Sequence, residues 1–179
     1  MTLIRPAILP QDAAGIAAID TAVQSTNVLA ASAGPQGIVL RSAPQTVIKR
    51  FPLDDLDDPE RPWDTAWVAA DGGQIIGFAA VGFQAWNRRL VLWHFYVDAG
   101  RRGQGLGRRL MDAVLDHARA AGARHVWLET SNHNPPGVAA YQALGFALTG
   151  LDLTLYDATP SEGEFALFFS RPVQVQPVS

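Results

Sequence analysis

The chain has 179 residues, 48% of them apolar, enough for one domain with a real core, and global disorder is excluded. The formal charge is −3, and five of the 17 acids (Asp54, Asp55, Asp57, Asp58, Glu60) stand together, so charge marks the chain neither as a nucleic-acid binder nor as a membrane binder. The lack of cysteine excludes disulfides, cysteine-ligated zinc and a covalent cysteine acyl carrier.

At the N-terminus Arg5 is flanked by Pro6 and Pro10, and the Ala/Ile-rich run that follows is broken by Asp12, Gly15 and Asp20. This reads neither as a signal peptide nor as a membrane span, and a cytoplasmic chain is expected. Leu3–Leu9 predicts a first strand, and Gln11–Val23 a short helix capped by Asp12. From Ser25 to Lys49 the periodicity fades, and Gly37–Leu40 and Thr46–Phe51 stay open between short strands and a second helix. Pro52, Pro59 and Pro62 punctuate the acidic stretch Leu53–Trp63, which predicts a solvated loop. Thr65–Phe83 then reads as strand, Asp71-Gly72-Gly73 turn and strand. Arg89–Val97 is a third strand, entered through Trp86-Asn87-Arg88.

Leu106, Leu110, Met111, Val114, Leu115 and Ala118 recur at helical spacing, and Gly122 ends that helix. His125–Glu129 is a strand. Asn134-Pro135-Pro136 caps and opens a short helix that stops at Gly145. Phe146–Tyr156 and Glu164–Ser170 read as two closing strands, an antiparallel pair separated by the loop Asp157–Gly163. The order β-α-(irregular)-β-β-β-α-β-α-β-β, with one parallel crossover, predicts an α/β or α+β fold with a mixed sheet. A single domain over residues 1–171 is expected, followed by a flexible tail at 172–179.

The most informative stretch lies between Val97 and the central helix. Gly103, Gly105 and Gly107 let the backbone turn tightly and present N–H groups, and the helix start adds its own unpaired donors. Such a concavity suits a pyrophosphate. Arg101, Arg102, Arg108 and Arg109 add positive charge beside it. A dinucleotide site is a competing reading, since Glu129 lies 22 residues beyond Gly107. Against it, the third glycine of that fingerprint would fall at Arg108, and five residues separate Val97 from Gly103 where a tight turn is needed. A plain glycine-rich turn with solvated arginines is the bland alternative.

Arg102-Gly103-Gln104-Gly105-Leu106-Gly107 resembles the acyl-CoA loop, [Arg/Gln]-x-x-Gly-x-[Gly/Ala], of the Gcn5-related N-acetyltransferases, the GNAT superfamily. Asn134 and Tyr141-Gln142-Ala143-Leu144-Gly145-Phe146 are similar to its second signature, Asn-x6-Tyr-x3-Gly-Phe. The resemblance covers about Thr65 to Ser170. It sharpens towards the streptothricin acetyltransferases through Trp86-Asn87, Leu128-Glu129-Thr130 and Gly150-Leu151-Asp152-Leu153.

The resemblance implies a mostly antiparallel sheet of six to seven strands flanked by helices, and transfer of acetyl from acetyl-CoA to a primary amine. Backbone N–H groups of Arg102 to Arg108 would hold the pyrophosphate, and the neighbouring arginines would lie near the 3′-phosphate or open to solvent. The pantetheine arm would pair with Phe95, Tyr96 and Val97, whose strand splays from the one ending at Glu129, and the Val97 N–H would polarise the thioester. Asn134 belongs with this cofactor-binding set.

Tyr141 would be the acid for the departing thiolate. His94 and Glu129 lead as the base, although either could be structural. Asp152, Glu129 and Tyr156 would converge on an acceptor ammonium, with Trp63, Trp67 or Trp86 stacking on it. His133 would lie near the mouth of the site, whereas His117 and His125 have no assigned role. No residue spacing resembles a metal site. The acceptor is expected to be a small cationic amine such as a streptothricin-like antibiotic. Peptide lysines or N-termini, or a silent CoA-binding module, are the alternatives, in a monomer or homodimer without membrane or nucleic-acid partners.

Overall fold

The computed structural model describes residues 2–174 and falls into two compact units. The first comprises residues up to Thr21, Phe51–Leu128 and those from Ser170; the second comprises Ala22–Arg50 and Glu129–Phe169. The far end of the expected tail, residues 175–179, lies outside the described residues.

In the first unit, β1 (Leu3–Pro6), β4 (Thr65–Asp71), β5 (Gln74–Gln84) and β6 (Arg89–Val97) lie side by side, each antiparallel to the next. β7 (His125–Ser131) joins β6 in parallel, Arg89–Val91 standing opposite His125–Trp127. Helix α2 (Leu106–Ala120) makes that crossover and buries all six of its predicted apolar positions. One apolar stripe on an otherwise charged helix leaves it no other face to bury. Pro172 is the last residue of β9 (Ala166–Pro172), and Val173 beyond it is buried, its N–H bonded to the Arg124 carbonyl at 2.9 Å. The chain is therefore held for two residues into the segment where the tail was expected to begin.

Asp12 precedes the helix α1 (Ala13–Ala17), but its side chain makes no cap bond. It instead takes both Arg5 Nη atoms, at 2.7 and 2.8 Å, and the Ile8 N–H at 2.7 Å. A bidentate guanidinium outbids a helix N–H for one carboxylate. The helix is also much shorter than Gln11–Val23, because Asp20 is drawn out of it. Its N–H donates to Asp98 Oδ2, and its carbonyl accepts from the Ala99 N–H and from Arg102 Nη2.

The acidic stretch is not a solvated loop. Leu56 and Trp63 are buried in the core with Ile16, Ile19, Val68, Phe78 and Ala80. At Gly82 of β5, an added Cβ would lie 2.4 Å from the Pro62 carbonyl oxygen, so the strap needs glycine at that point of the sheet. Asp55 turns inward to accept from Trp63 Nε1 at 2.7 Å and to meet His94 Nε2 at 2.9 Å. Its neighbours Asp54, Asp57, Asp58 and Glu60 keep the outer side polar.

In the second unit, the stretch left open between strands and helix is a long antiparallel hairpin, β2 (Val23–Gly34) with β3 (Gly37–Lys49). Its strands are exposed along most of their length, and Val28 is the buried apolar residue, so no strong alternation marks them. Pro44 is accommodated opposite Asn27, where the register slips past Ser25. The unit also holds the end of β7, α3 (Pro135–Ala143), β8 (Ala147–Asp152) and most of β9. β9 lies between β7 and β8 in the strand order, which brings the strands of the sheet to seven.

Candidate active site

The glycine loop belongs to the first unit. Asp98 organises its entrance: Oδ1 accepts the Gly100 N–H at 3.1 Å, Oδ2 accepts the Asp20 N–H, and the Asp98 carbonyl takes the Arg101 N–H. Gly103 and Gly105 adopt φ of +75° and +78°, a region strained for any L side chain. Gly105 is the N-cap of α2 and has no side chain to satisfy the helix, so first-turn N–H groups and the dipole's positive end remain for an anion. Gln104 lies exposed between the two left-handed glycines, and the Leu106 side chain is buried beneath the loop. A Cβ at Gly107 would meet the Phe95 ring at an ordinary 3.8 Å, consistent with a motif position that takes Gly or Ala.

The arginines divide by role. Arg102 Nε donates to the Val97 carbonyl at 3.1 Å, Arg101 lies 3.6 Å from Asp71, and Arg109 donates to the Thr2 carbonyl. Arg101 and Arg102 brace the loop, and Arg109 ties the first turn of α2 to the residue before β1. Arg108 stands exposed on the first turn of α2.

On β6, Trp93 is an extra residue: Ala80 faces His94 but Val81 faces Leu92. This bulge follows directly on the Arg89–Val91 segment that pairs with β7. His94 is boxed by Trp63, Phe78 and Tyr96 at ring distances of 6.0, 5.7 and 5.8 Å. Its Nδ1 and Asp55 Oδ1 are buried without a protein partner. Burial pushes the Asp55 carboxyl up, but hydrogen bonds from His94 and Trp63 outweigh it and hold the group below its ordinary value. Trp63 is thus part of the core, and Trp67 packs edge-on against His117 at 5.4 Å. Trp86, 85% exposed, stands out on the β5–β6 turn.

The second unit gathers the other predicted residues. Asn134 caps α3: its Oδ1 accepts the Gly137 N–H and its Nδ2 donates to Thr130 Oγ1, both at 3.0 Å. On that helix Tyr141 is half-buried, packed edge-on to Phe146 and tilted against Phe169. Burial, with a smaller contribution from the Glu129 charge, pushes its phenol up to about 12. Glu129 Oε1 accepts a short hydrogen bond from the Tyr156 hydroxyl. Part of the Glu129 side chain reaches solvent, yet desolvation of its carboxyl and the negative charge of Glu164 lift its pKa above the ordinary value. The Tyr156 hydrogen bond and Lys49 oppose that rise. Asp152 is engaged in its own turn, Oδ1 accepting from both the N–H and hydroxyl of Thr154 at 2.8 Å, which keeps it ionised.

Sequence reasoning missed Asp98, Asp55, Lys49 and Glu164. An aspartate before Ala-Gly signals a turn cap and could have flagged Asp98. Nothing local marks the others, which meet partners 39, 115 and 33 positions away. Among the described residues there is no group that could hold a metal ion, and no helix is long and apolar enough to cross a membrane.

Residues 39–146 match the model of the acetyltransferase (GNAT) family, a span that holds both the glycine loop and Tyr141. The chain is 41% identical over 172 residues to a streptothricin acetyltransferase of Streptomyces lavendulae, covering 91% of each.

The chain belongs to the GNAT acetyltransferase family.

Among solved structures it is similar to nourseothricin acetyltransferase, with a TM-score of 0.86 and 39% identity over 97% of this chain and 99% of the other. A Bacillus anthracis protein solved in complex with acetyl coenzyme A shares the fold at a TM-score of 0.80 and 24% identity, over 97% and 99% of the two chains. This GNAT chain is therefore an α/β acetyl-CoA-dependent N-acetyltransferase, and acetyl-CoA is its acyl donor. The dinucleotide reading of the glycine loop falls away.

Proposed function

We propose that the chain acetylates a primary amine of a small cationic antibiotic of the streptothricin type, inside the cell that the antibiotic enters. The observation that carries this reading is the 41% identity to a streptothricin acetyltransferase over 91% of both chains. The anionic Glu129–Tyr156 pair, suited to an ammonium, supports it.

Acetyl-CoA supplies an activated acetyl thioester. The N–H groups of Arg102 to Arg108 hold its pyrophosphate, Arg108 adds charge there, and the backbone of Phe95, Tyr96 and Val97 takes the pantetheine amides. The Val97 N–H polarises the thioester carbonyl. Glu129 holds the acceptor ammonium and takes its proton, a role favoured by the burial that lifts its carboxyl above the ordinary value. His94, with Nε2 committed to Asp55 inside an aromatic box, fixes the strap to β6. Tyr141 stays protonated and donates to the departing sulfur.

The test is thiol release from acetyl-CoA with a panel of streptothricin, aminoglycosides, polyamines and lysine peptides. Streptothricin is expected to be the fastest acceptor. Release driven by peptides alone, or tight CoA binding without any amine-dependent release, overturns the reading.

A further inference from the structure

We propose that Lys49 is a specificity-determining residue: by neutralising Glu164 it leaves Glu129, rather than Glu164, as the carboxylate open to an acceptor ammonium. The inference rests on reading the Glu129–Tyr156 pair as acceptor-binding. Lys49 is the last residue of β3, and its Nζ makes a short contact to Glu164 Oε2, lies 3.4 Å from Ser161 Oγ and sits 5.8 Å above the Tyr156 ring. The same Glu164 oxygen accepts from Ser131 Oγ, and the other lies 3.7 Å from His133 Nδ1. Only 16% of the Lys49 side chain and 14% of Glu164 remain exposed, so water screens this pair far less than an ordinary surface pair.

Lys49 is a primary ammonium already seated over an aromatic ring and against a carboxylate, the contacts a cationic acceptor would seek. Two carboxylates and one ammonium leave these three groups a net charge of −1. That balance attracts one further ammonium and offers a second one no uncompensated anion among the three groups. Without Lys49, Glu164 would become a second anionic anchor beside Tyr156, and acceptors bearing two ammonium groups would gain.

The groups acting on Glu129 are Tyr156 from the loop after β8, Lys49 from β3 and Glu164 from the segment before β9; Tyr141 of α3 feels its charge in turn. Lys49 and Glu164 act on it with opposite sign. That separates an electrostatic role from a purely structural clamp.

Two measurements test the proposal. The Glu129 carboxyl is titrated by carbon-13 NMR in the wild type, Lys49→Met and Glu164→Gln. The midpoint should move up in Lys49→Met and down in Glu164→Gln, each by about half a unit or more. Movement in one common direction, as loosening of a clamp would give, or no movement, overturns the proposal. Calorimetry on the CoA-bound protein then compares 1,5-diaminopentane with pentylamine. Lys49→Met should raise the preference for the diamine on the order of tenfold, and an unchanged ratio overturns the proposal. Failure of the wild type to acetylate any cationic amine refutes the acceptor reading itself. Wild-type turnover with unmoved titrations refutes only the role of Lys49.

Discussion

Tyr141 shows how a side chain's environment selects its chemistry. A phenol pushed up to about 12 by burial and the Glu129 charge stays protonated across the physiological range. It is also a weaker proton donor than an ordinary tyrosine, so the contribution proposed for it at a departing thiolate is a hydrogen bond that strengthens as charge develops. Tyr141→Phe should lower kcat on the order of a hundredfold while the CoA dissociation constant changes by less than about twofold, within ordinary variation for a removed hydroxyl that grips no phosphate. Steady-state kinetics beside calorimetry check this, and unchanged kcat would remove Tyr141 as the donor. In the wild type no alkaline loss of rate from Tyr141 is expected below about pH 10, since the phenol keeps its proton until pH approaches its raised pKa. The loop glycines separate by the same logic. Gly105, at φ +78°, should lose CoA affinity by about tenfold or more on substitution by alanine, whereas Gly107→Ala meets only the Phe95 ring at 3.8 Å and should bind near normally. Equal effects at both positions would show that the left-handed backbone at Gly105 is not what shapes the loop.

At the scale of elements, the strap from Phe51 to Asp64 is held by its one inward acid. Asp55→Ala orphans the buried Trp63 indole N–H and the His94 ring, which should cost about 1–3 kcal/mol at pH 7. Because the folded Asp55 pKa lies below its ordinary value, its stabilisation is present above the unfolded pKa and fades as pH falls through the folded one. The stability gap between wild type and variant should therefore narrow as pH drops from 5 towards about 3. Urea melts across that range check it, and a constant gap would show that the carboxylate charge contributes nothing. The strap also marks where the sequence stopped being legible. β6, the β4–β5 hairpin, α2 and α3 were readable because each carries its own signal: Asp71-Gly72-Gly73 for the turn, six apolar positions at helical spacing, Asn134-Pro135-Pro136 for a helix start. The strap carries four outward acids around Asp55 and Leu56, and composition cannot say which of five clustered acids faces in. Only the tertiary partner, His94 on β6, decides that.

At the scale of the whole chain, the second unit is assembled from Ala22–Arg50 and Glu129–Phe169, two stretches that the chain brings together across the intervening length of the first. This explains why the glycine loop was readable and the cluster proposed for the acceptor only half so. Glu129, Tyr141 and Tyr156 lie within one stretch, while Lys49 comes from a hairpin whose exposed strands gave no periodic signal. Lys49 ties the two stretches through Glu164 and Ser161, and Asn132 ties them again through Leu29. The Asn132 backbone N–H donates to the Phe165 carbonyl and its carbonyl accepts the Leu29 N–H, each at 3.0 Å. Its side chain doubles both links, accepting from the Phe165 N–H at 2.9 Å and donating to the Leu29 carbonyl at 2.8 Å. With Asn132 only 4% exposed, water cannot replace these bonds. Asn132→Ala keeps the backbone bonds but removes the Nδ2 bond to the Leu29 carbonyl of β2 and leaves the Phe165 N–H buried without its acceptor, at a cost of about 1–3 kcal/mol. The hairpin should then open more often, and β2 and β3 amides should exchange with deuterium on the order of tenfold faster or more. Lys49, carried on β3, would lose its fixed place against Glu164, so the Glu129 midpoint should rise in this variant as is expected in Lys49→Met. Unaltered hairpin exchange would show that Asn132 does not hold the two stretches together.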